Sequence, residues 1–438
     1  MTDNNKTCPI NFLDKLKVYS YEYHQCCKYL TICDTPESLF TKKLYSKLIA
    51  SSHLLEDFLD FHGAKNNKKW YFYRELTAAV RHLSLTGYIQ EHISNRLVFY
   101  DLMDIESFER EGAATREILS RTLLRLAPVI VAEAESLDIP VPDTGYSEYD
   151  FPSVVTGEML EFDIDDEKPR QQQKNIVKVT SEFLNIAKDF EQFGIYEKCD
   201  KAAIEEMVPG RINEVEIRGF EMLVHNLQSS FDTYIIYGGL RFGDRKLKQL
   251  RSYFSIVFHL FELTGKLLHF YERHFYGPKG AQKSIYKEVQ QGLSDLINVD
   301  ALLDRIVNYG LYYAFHFLSD GKRLAQKILN DNIERGRIEV GIPVKLGFHS
   351  RPSLLVAKIT QHYGGEVNLW VGDDKFDASS VLDIQWAGGK IDKEKIDRVV
   401  FEGDVRALRD IEILAGVNYG ENTMGKGIPL PKELDYLK

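Results

Sequence analysis

A histidine and an arginine two residues apart, His349 and Arg351, lie in the stretch GFHSRPSL at residues 347–354. An imidazole is partly unprotonated near neutral pH, so it can attack phosphorus as a nucleophile. A guanidinium can bind phosphate oxygens through two parallel hydrogen bonds. The pair therefore indicates phosphoryl transfer through a histidine. The other interpretation is that His349 merely caps a helix, and these two residues alone do not decide between the two.

The residues around this pair predict a turn that connects a strand to a helix. Apolar residues alternate with other residues over 338–346, which is the period of a strand with one buried face, and Pro343 favours an edge strand. The spacing then changes to that of a helix, in which Ser350 can act as the N-cap, Pro352 suits the first turn and Gly364 ends the helix. Free backbone N–H groups and the positive end of the helix dipole would face an anion at this turn.

The motif G-F-H-S-R-P-S resembles the phosphohistidine site of the HPr phosphocarrier family, whose pattern runs glycine, aliphatic, histidine, small, arginine, proline, small. The resemblance continues through later elements: a second strand over 366–371, a third over 375–379, a short helix in SSVLDIQWAGG, a fourth strand over 398–402 and a last helix over 404–417. It covers roughly residues 336–420, the size of one small domain. It implies an open-faced β-sandwich with the element order β-α-β-β-α-β-α.

The resemblance also implies roles for single residues. His349 would accept the phosphoryl group, and Arg351 would be its oxyanion partner. Ser380 matches the seryl site that a dedicated HPr kinase modifies in some members of the family. The arrangement S-x-x-D with Asp383 predicts instead that Ser380 is the N-cap of the short helix, and Ser379 beside it is an alternative modified residue.

Some residues depart from the family pattern. Phe348 replaces the usual aliphatic residue before the histidine, and Asp383 and Gln385 stand where the family commonly has an apolar or small docking surface. Leu354 and Leu355 take positions that are commonly small or polar. We expect these two leucines either to be covered by the protein's own aromatic helices or to belong to the core of the small domain.

The remainder of the chain predicts helices, which gives a multidomain α and α+β fold. Four long helices are expected between residues 11 and 139, and residues 249–275 are apolar on nearly every side, as in the central helix of a bundle. The predicted organisation is a helical bundle region over 1–139, a loop or connection over 140–170, a second helical region over 171–335, the HPr-like domain over 336–420 and a C-terminal tail over 421–438.

Composition excludes some classes of partner. The 438 residues are 44 % hydrophobic and 27 % charged, and the net charge is -10. Nucleic acids and anionic membranes would need a basic face, so neither is expected to bind. There is no apolar run of membrane-spanning length, and the first twenty residues do not follow the pattern of a signal peptide. Five cysteines, an odd number without zinc spacing, predict a reduced, cytoplasmic chain in which Cys26 and Cys27 serve ordinary packing.

Neither a metal nor a cofactor is expected. Several histidines lie one helical turn from an acidic residue, which could suggest a carboxylate-bridged metal centre, but most of these pairs run in the order opposite to Glu-x-x-His. The pairs are His53 with Glu56, Glu221 with His225, His259 with Glu262, and His269 with Glu272. We expect satisfied histidines at these positions. The chain also lacks the glycine-rich phosphate loop, the dinucleotide fingerprint and the G-x-S-x-G elbow.

The predicted function is therefore a phosphohistidine carrier or regulator of the phosphoenolpyruvate-dependent phosphotransferase system. An Enzyme I-like protein would donate the phosphoryl group to His349, and a protein acceptor would receive it, so the chain would be a carrier and not an enzyme that turns over small molecules. One alternative is a regulatory interaction module that signals through phosphorylation without sugar transport. Another is an enzyme whose active site lies in the helical region. The sequence does not predict the oligomeric state.

Overall fold

The computed structural model describes residues 11–32, 39–103, 105–153, 172–236, 245–276 and 284–437. These residues form two compact units. The first unit contains the described residues of 1–163, 191–225 and 252–318, and the second contains those of 164–190, 226–251 and 319–438. The predicted second helical region, 171–335, contributes residues to both units. Cys8, Cys33 and the acidic run 163–167 lie outside the described residues.

The four helices predicted near the N-terminus are confirmed. They are α1 (Phe12–Ile32), α2 (Lys42–Phe61), α3 (Tyr71–Leu97) and α4 (Glu106–Ser136). The start of α2 is fixed locally, because the side chain of Thr41 accepts a hydrogen bond from the backbone N–H of Leu44. Gly63 follows the same helix with a φ of 77°, as its sequence position predicts.

The regular elements described up to residue 332 are all helices. The elements are α5 (Gln172–Phe190), α6 (Lys201–Met207), α7 (Glu214–Phe231), α8 (Arg245–His274), α9 (Ser284–Leu296), α10 (Val299–Asp304), a π-helical segment (Arg305–Leu311) and α11 (Tyr312–Asn332). The predicted central helix is α8, and its residues Phe254, Leu260 and Phe261 are fully buried. Among the helices described here, none is both long enough and apolar enough to cross a bilayer.

A small sheet with helices between its strands occupies the C-terminal part. Its elements are β1 (Arg335–Gly341), α12 (Ser350–Tyr363), β2 (Val367–Val371), β3 (Asp374–Asp377), α13 (Val381–Glu394), β4 (Arg398–Asp404) and α14 (Val405–Gly416). The strand order is β1-β4-β2-β3, and every neighbouring pair is antiparallel. The element order β-α-β-β-α-β-α is the one expected for residues 336–420.

The core of this small domain lies between the sheet and its helices. Fully buried side chains come from the strands and from each helix: Val356, Ile359, Leu369, Ile384, Phe401, Ile411 and Leu414. The segment after α14 adds Tyr419, Leu434 and Leu437 to the same cluster. Residues 421–437 therefore fold back on the domain, because each buried apolar side chain contributes roughly 1.5–3 kcal/mol.

The predicted first strand is too long. Alternation continues to Leu346, but β1 ends at Gly341, because its last partner is Arg398, the first residue of β4. Beyond that point no strand of the sheet continues opposite the chain, and Val344 and Leu346 are 71 % and 65 % exposed. The edge position predicted from Pro343 is found for β1, although Pro343 itself lies beyond the strand.

The C-terminal end of α12 is hydrogen-bonded to helices of the same unit. Ser181 of α5 donates to the backbone oxygen of Tyr363 at 3.3 Å, and the side-chain oxygen of Asn330 in α11 accepts from the backbone N–H of Glu366 at 3.0 Å. Gly364 takes a φ of 71° and caps the helix as predicted. These bonds hold the C-terminal end of α12, whereas His349 precedes its first residue.

Candidate functional site

The turn before α12 brings the helix N-terminus to the candidate nucleophile. Gly347 has a φ of 60°, which reverses the chain before the helix begins. His349 is the N-cap residue, and its side chain makes no capping hydrogen bond. The prediction that Ser350 is the cap is therefore wrong, because Ser350 is already the first helical residue. The imidazole is left free for other chemistry at the positive end of the helix dipole.

The first turn of α12 provides few but suitable donors. The backbone N–H of Ser353 is bonded to the oxygen of His349 at 3.1 Å, and Pro352 has no N–H. The N–H groups of Ser350 and Arg351 precede the first helical hydrogen bond and can therefore bind an anion. Pro352 lies in the first turn, as predicted, and it is buried; Ser350 is exposed beside His349.

A buried carboxylate contacts the imidazole of His349. Nε2 of His349 lies 3.0 Å from Oε2 of Glu421, and their side chains are 28 % and 2 % exposed. The second oxygen, Oε1, is buried, and no hydrogen-bond partner is found for it among the described residues. Glu421 is held by a short antiparallel bridge to Gly427 and by a backbone hydrogen bond to Asn418. The imidazole therefore has one nitrogen engaged by a negative charge and one edge toward solvent.

The guanidinium of Arg351 lies against the same C-terminal segment. A Cβ on Gly427 would come within 1.8 Å of Nη1 of Arg351, so only glycine leaves room for the guanidinium there. Arg351 is exposed and makes no ion pair with any described residue. Lys345 adds a second cation at this rim and donates to the backbone oxygen of Met424 at 3.0 Å. An anion at His349 would meet unpaired positive charge.

Ser380 takes the capping role that its sequence predicts. It is the N-cap of α13, its hydroxyl accepts from the N–H of Asp383 at 3.2 Å, and it also contacts Oδ1 of Asp383 at 3.1 Å. Ser379 instead hydrogen-bonds to Asp377. Helix α13 comes close to the candidate site at Gly388. A Cβ atom built onto Gly388 would lie 3.1 Å from the backbone oxygen of Phe348.

The two leucines of α12 have different environments. Leu355 belongs to the core of the small domain and lies close to Gly420. Leu354 is 45 % exposed. The core interpretation is therefore correct for Leu355, and the expectation that aromatic helices cover both residues is wrong.

Sequence reasoning missed Glu421. It is the first residue of the predicted C-terminal tail, 421–438, and a single glutamate after a helix carries no signal of its own. Glycines at 420, 425 and 427 indicate turns nearby. Nothing in their spacing indicates that the turn returns to His349, because that contact joins residues 72 positions apart.

In the first unit, which we call the helical unit, buried charged side chains join neighbouring helices. Arg74 is buried in α3 and donates to Glu56 of α2 at 2.7 Å and to Glu75 at 2.8 Å. The other oxygen of Glu75 lies 2.6 Å from Nδ1 of His274 in α8. Arg74 is the last residue of a basic and aromatic stretch, KNNKKWYFYR at 65–74, that leads into α3.

Of the four histidine–acid pairs named from the sequence, His259 with Glu262 is found. His53 contacts Asp57 and His269 contacts Glu214 instead. Within the described ranges, no group of three His, Cys, Asp or Glu side chains could hold a metal ion. Cys26 and Cys27 are buried and unbridged, and burial raises the pKa of Cys26 to about 12.

Comparisons with known proteins identify no relative. No family model, no curated protein and no solved structure matches the chain. A function for this site therefore depends on its own residues and geometry.

Proposed function

We propose that this chain carries a phosphoryl group on His349, accepting it from a phosphorylated Enzyme I-like protein and passing it to a protein acceptor in the cytoplasm. The observation that carries the proposal is the position of His349. Its imidazole makes no capping hydrogen bond and is part-exposed at the N-terminus of α12, next to the N–H groups of the first turn and to Arg351, whose guanidinium makes no ion pair with any described residue. The resemblance of GFHSRPS to the HPr site and the element order of the small domain support the same reaction.

The residues of the site have separate tasks in this reaction. A lone pair of the imidazole forms the N–P bond while the bond from phosphorus to the donor breaks, and the donor keeps that electron pair. The N–H groups of Ser350 and Arg351 and the guanidinium of Arg351 stabilise the phosphoryl oxygens. No group of the site has to turn over a small molecule, so the chain acts as a carrier.

The small domain exposes several large apolar side chains, which favours a protein partner. They are Val344, Leu346, Leu354, Leu382, Trp386 and Met424. Trp386 is 67 % exposed, and aromatic residues are enriched at protein interfaces.

The test is labelling of the full chain with radioactive phosphoenolpyruvate and Enzyme I. We expect an acid-labile label on the wild-type chain, no label on His349→Ala, and normal label on the control His53→Ala, which replaces an exposed histidine of the helical unit. Label that persists in His349→Ala, or label that survives acid, contradicts the proposal. So does a wild-type chain that takes no label.

A regulatory role is the second candidate, and one observation favours it. Residues at the C-terminal end of α12 are hydrogen-bonded to α5 and α11, so the small domain is attached to these helices by more than the connecting chain. Phosphorylation of His349 could then be read by helices of the same unit without onward transfer. Incubation of the labelled chain with phosphotransferase acceptors separates the two functions, because a carrier loses its label to them and a regulator keeps it.

A further inference from the structure

The contact between Glu421 and His349 differs from one that only stabilises the fold. A buried carboxylate loses the solvation it has in water, and the loss is recovered only when both oxygens are well paired. Here Oε2 is 3.0 Å from the imidazole, and Oε1 is buried without a partner among the described residues. An apolar side chain at this position would avoid that cost, so the contact points to a role in the chemistry of His349.

The backbone that presents Glu421 is also built at a cost. Asn418, Tyr419 and Gly420 have φ values of 48°, 56° and 76°, three consecutive residues in the left-handed region. For residues other than glycine this conformation is disfavoured by steric contact with the side chain, and it persists only where the surrounding structure enforces it. Buried Tyr419 enforces it here, because its hydroxyl donates to the backbone oxygen of Gly341 at 2.7 Å.

We propose that Glu421 is a positioning residue for phosphoryl transfer, a role that rests on the function proposed for His349. Its carboxylate accepts a hydrogen bond from the N–H at Nε2 of His349. The partner of one ring nitrogen sets which tautomer is present. The proton is therefore held on Nε2, and the lone pair that attacks phosphorus is on Nδ1. Among the described residues, Nδ1 of His349 has no hydrogen-bond partner.

The same carboxylate balances charge during the reaction. When Nδ1 forms the N–P bond, the bond from phosphorus to the donor protein breaks and the donor, now without its phosphoryl group, keeps that electron pair. The ring retains its proton on Nε2 and becomes positively charged. The carboxylate of Glu421 stabilises that charge as a carboxylate stabilises the imidazolium of a catalytic triad. In onward transfer the N–P bond breaks, its electron pair returns to Nδ1, and the ring is neutral again with the proton still on Nε2.

The decisive experiment combines nitrogen NMR with labelling of the full chain. Glu421→Gln keeps the size of the side chain and removes its charge, and the control Glu433→Gln makes the same change at an exposed residue of the C-terminal segment. In the wild type and the control, the His349 ring should show the proton on Nε2 alone. In Glu421→Gln the two tautomers should mix, and label should appear about tenfold more slowly, as expected when a charge-assisted hydrogen bond becomes a neutral one.

The outcomes separate this inference from the proposed function. Glu421→Gln with the wild-type tautomer and the wild-type labelling rate overturns the inference alone, since His349 still takes label. A wild-type chain that takes no label overturns the proposed function and, with it, the role of Glu421. A wild-type ring with its proton on Nδ1 also overturns the inference, and that measurement does not depend on the folding of any variant.

Discussion

Phe348, directly before the candidate nucleophile, links the site to the C-terminal segment. Its side chain is 2 % exposed, and its ring centroid lies 5.1 Å from that of Tyr419 and 6.3 Å from that of Phe401, both at 75°. These are edge-to-face geometries. An aliphatic residue at 348, the usual choice in the resembling family, could not make them. Phe348→Leu should therefore loosen the segment that carries Glu421.

The size of the effect follows from these contacts. Two edge-to-face pairs contribute about 1–3 kcal/mol beyond the buried area. The volume lost from phenylalanine to leucine adds roughly 0.5–1 kcal/mol if the core does not close around it. The free energy of local opening should thus fall by about 1.5–4 kcal/mol, which corresponds to at least a tenfold faster exchange of the amides involved.

The assay is hydrogen exchange of the backbone amides of Gly420 and Ile428 in the full chain. Their N–H groups bond to the oxygens of Val417 and Gly420 at 3.1 Å and 2.9 Å, so they report the opening of the segment. Phe61→Leu is the matched control, because Phe61 is 86 % exposed in α2. We expect faster exchange in Phe348→Leu and none of this change in the control.

A double-mutant cycle isolates the aromatic pair. Combining Phe348→Leu with Tyr419→Leu should give a coupling free energy of about 0.5–1.5 kcal/mol, because the second change finds the contact already lost. Unchanged protection of Gly420 and Ile428 in Phe348→Leu, or strict additivity of the two substitutions, would refute the reasoning.

Three further predictions concern single residues. Arg351→Ala should slow labelling by about 30-fold to 1,000-fold, the equivalent of roughly 2–4 kcal/mol of transition-state stabilisation, and leave circular dichroism unchanged; labelling at the parental rate contradicts it. Ser380→Ala should cost the small domain about 1 kcal/mol by removing the N-cap of α13, measured as lost protection of α13 amides in hydrogen exchange, whereas unchanged protection would show that the cap is dispensable. Burial lowers the pKa of His24 to about 4, so the unfolded chain binds a proton between about pH 6.5 and 4 while the folded chain does not. The free energy of unfolding should therefore fall by about 3 kcal/mol as the pH is lowered from 6.5 to 4. Hydrogen exchange of α1 amides that is independent of pH once intrinsic rates are removed, or equally steep in His24→Asn, would argue against it.

Local features of the small domain could be predicted because their causes lie within a few residues. Gly364 ends α12 since it alone adopts a φ of 71° there without strain, and Ser380 caps α13 since its hydroxyl reaches an N–H three residues away. The strand-to-helix turn at His349 follows from the change in apolar period. The long helices before residue 332 follow from the same signal, because an amphipathic stripe is a property of the helix itself.

The sheet ends where its partner strand ends, and no local pattern contains that information. Residues 342–346 have the alternation of a strand, yet β4 begins at Arg398 opposite Gly341. The N–H of Ile342 still bonds to the backbone oxygen of Asp397 at 3.3 Å, but residues 343–346 lie opposite no described strand. The backbone N–H of Val344 bonds instead to the side chain of Asn418 at 2.9 Å. A strand requires a neighbour as well as a period.

The candidate site likewise combines residues that the sequence predicts with one that only the fold brings there. The types and spacing of His349 and Arg351 by themselves leave two interpretations, phosphoryl transfer and a plain helix cap, at a predicted strand-to-helix turn. The buried carboxylate that faces His349 comes from Glu421, 72 residues later, through a turn held by Tyr419 in the core. Only packing of the C-terminal segment could decide this contact, since burial and charge pairing over such a distance depend on the whole domain.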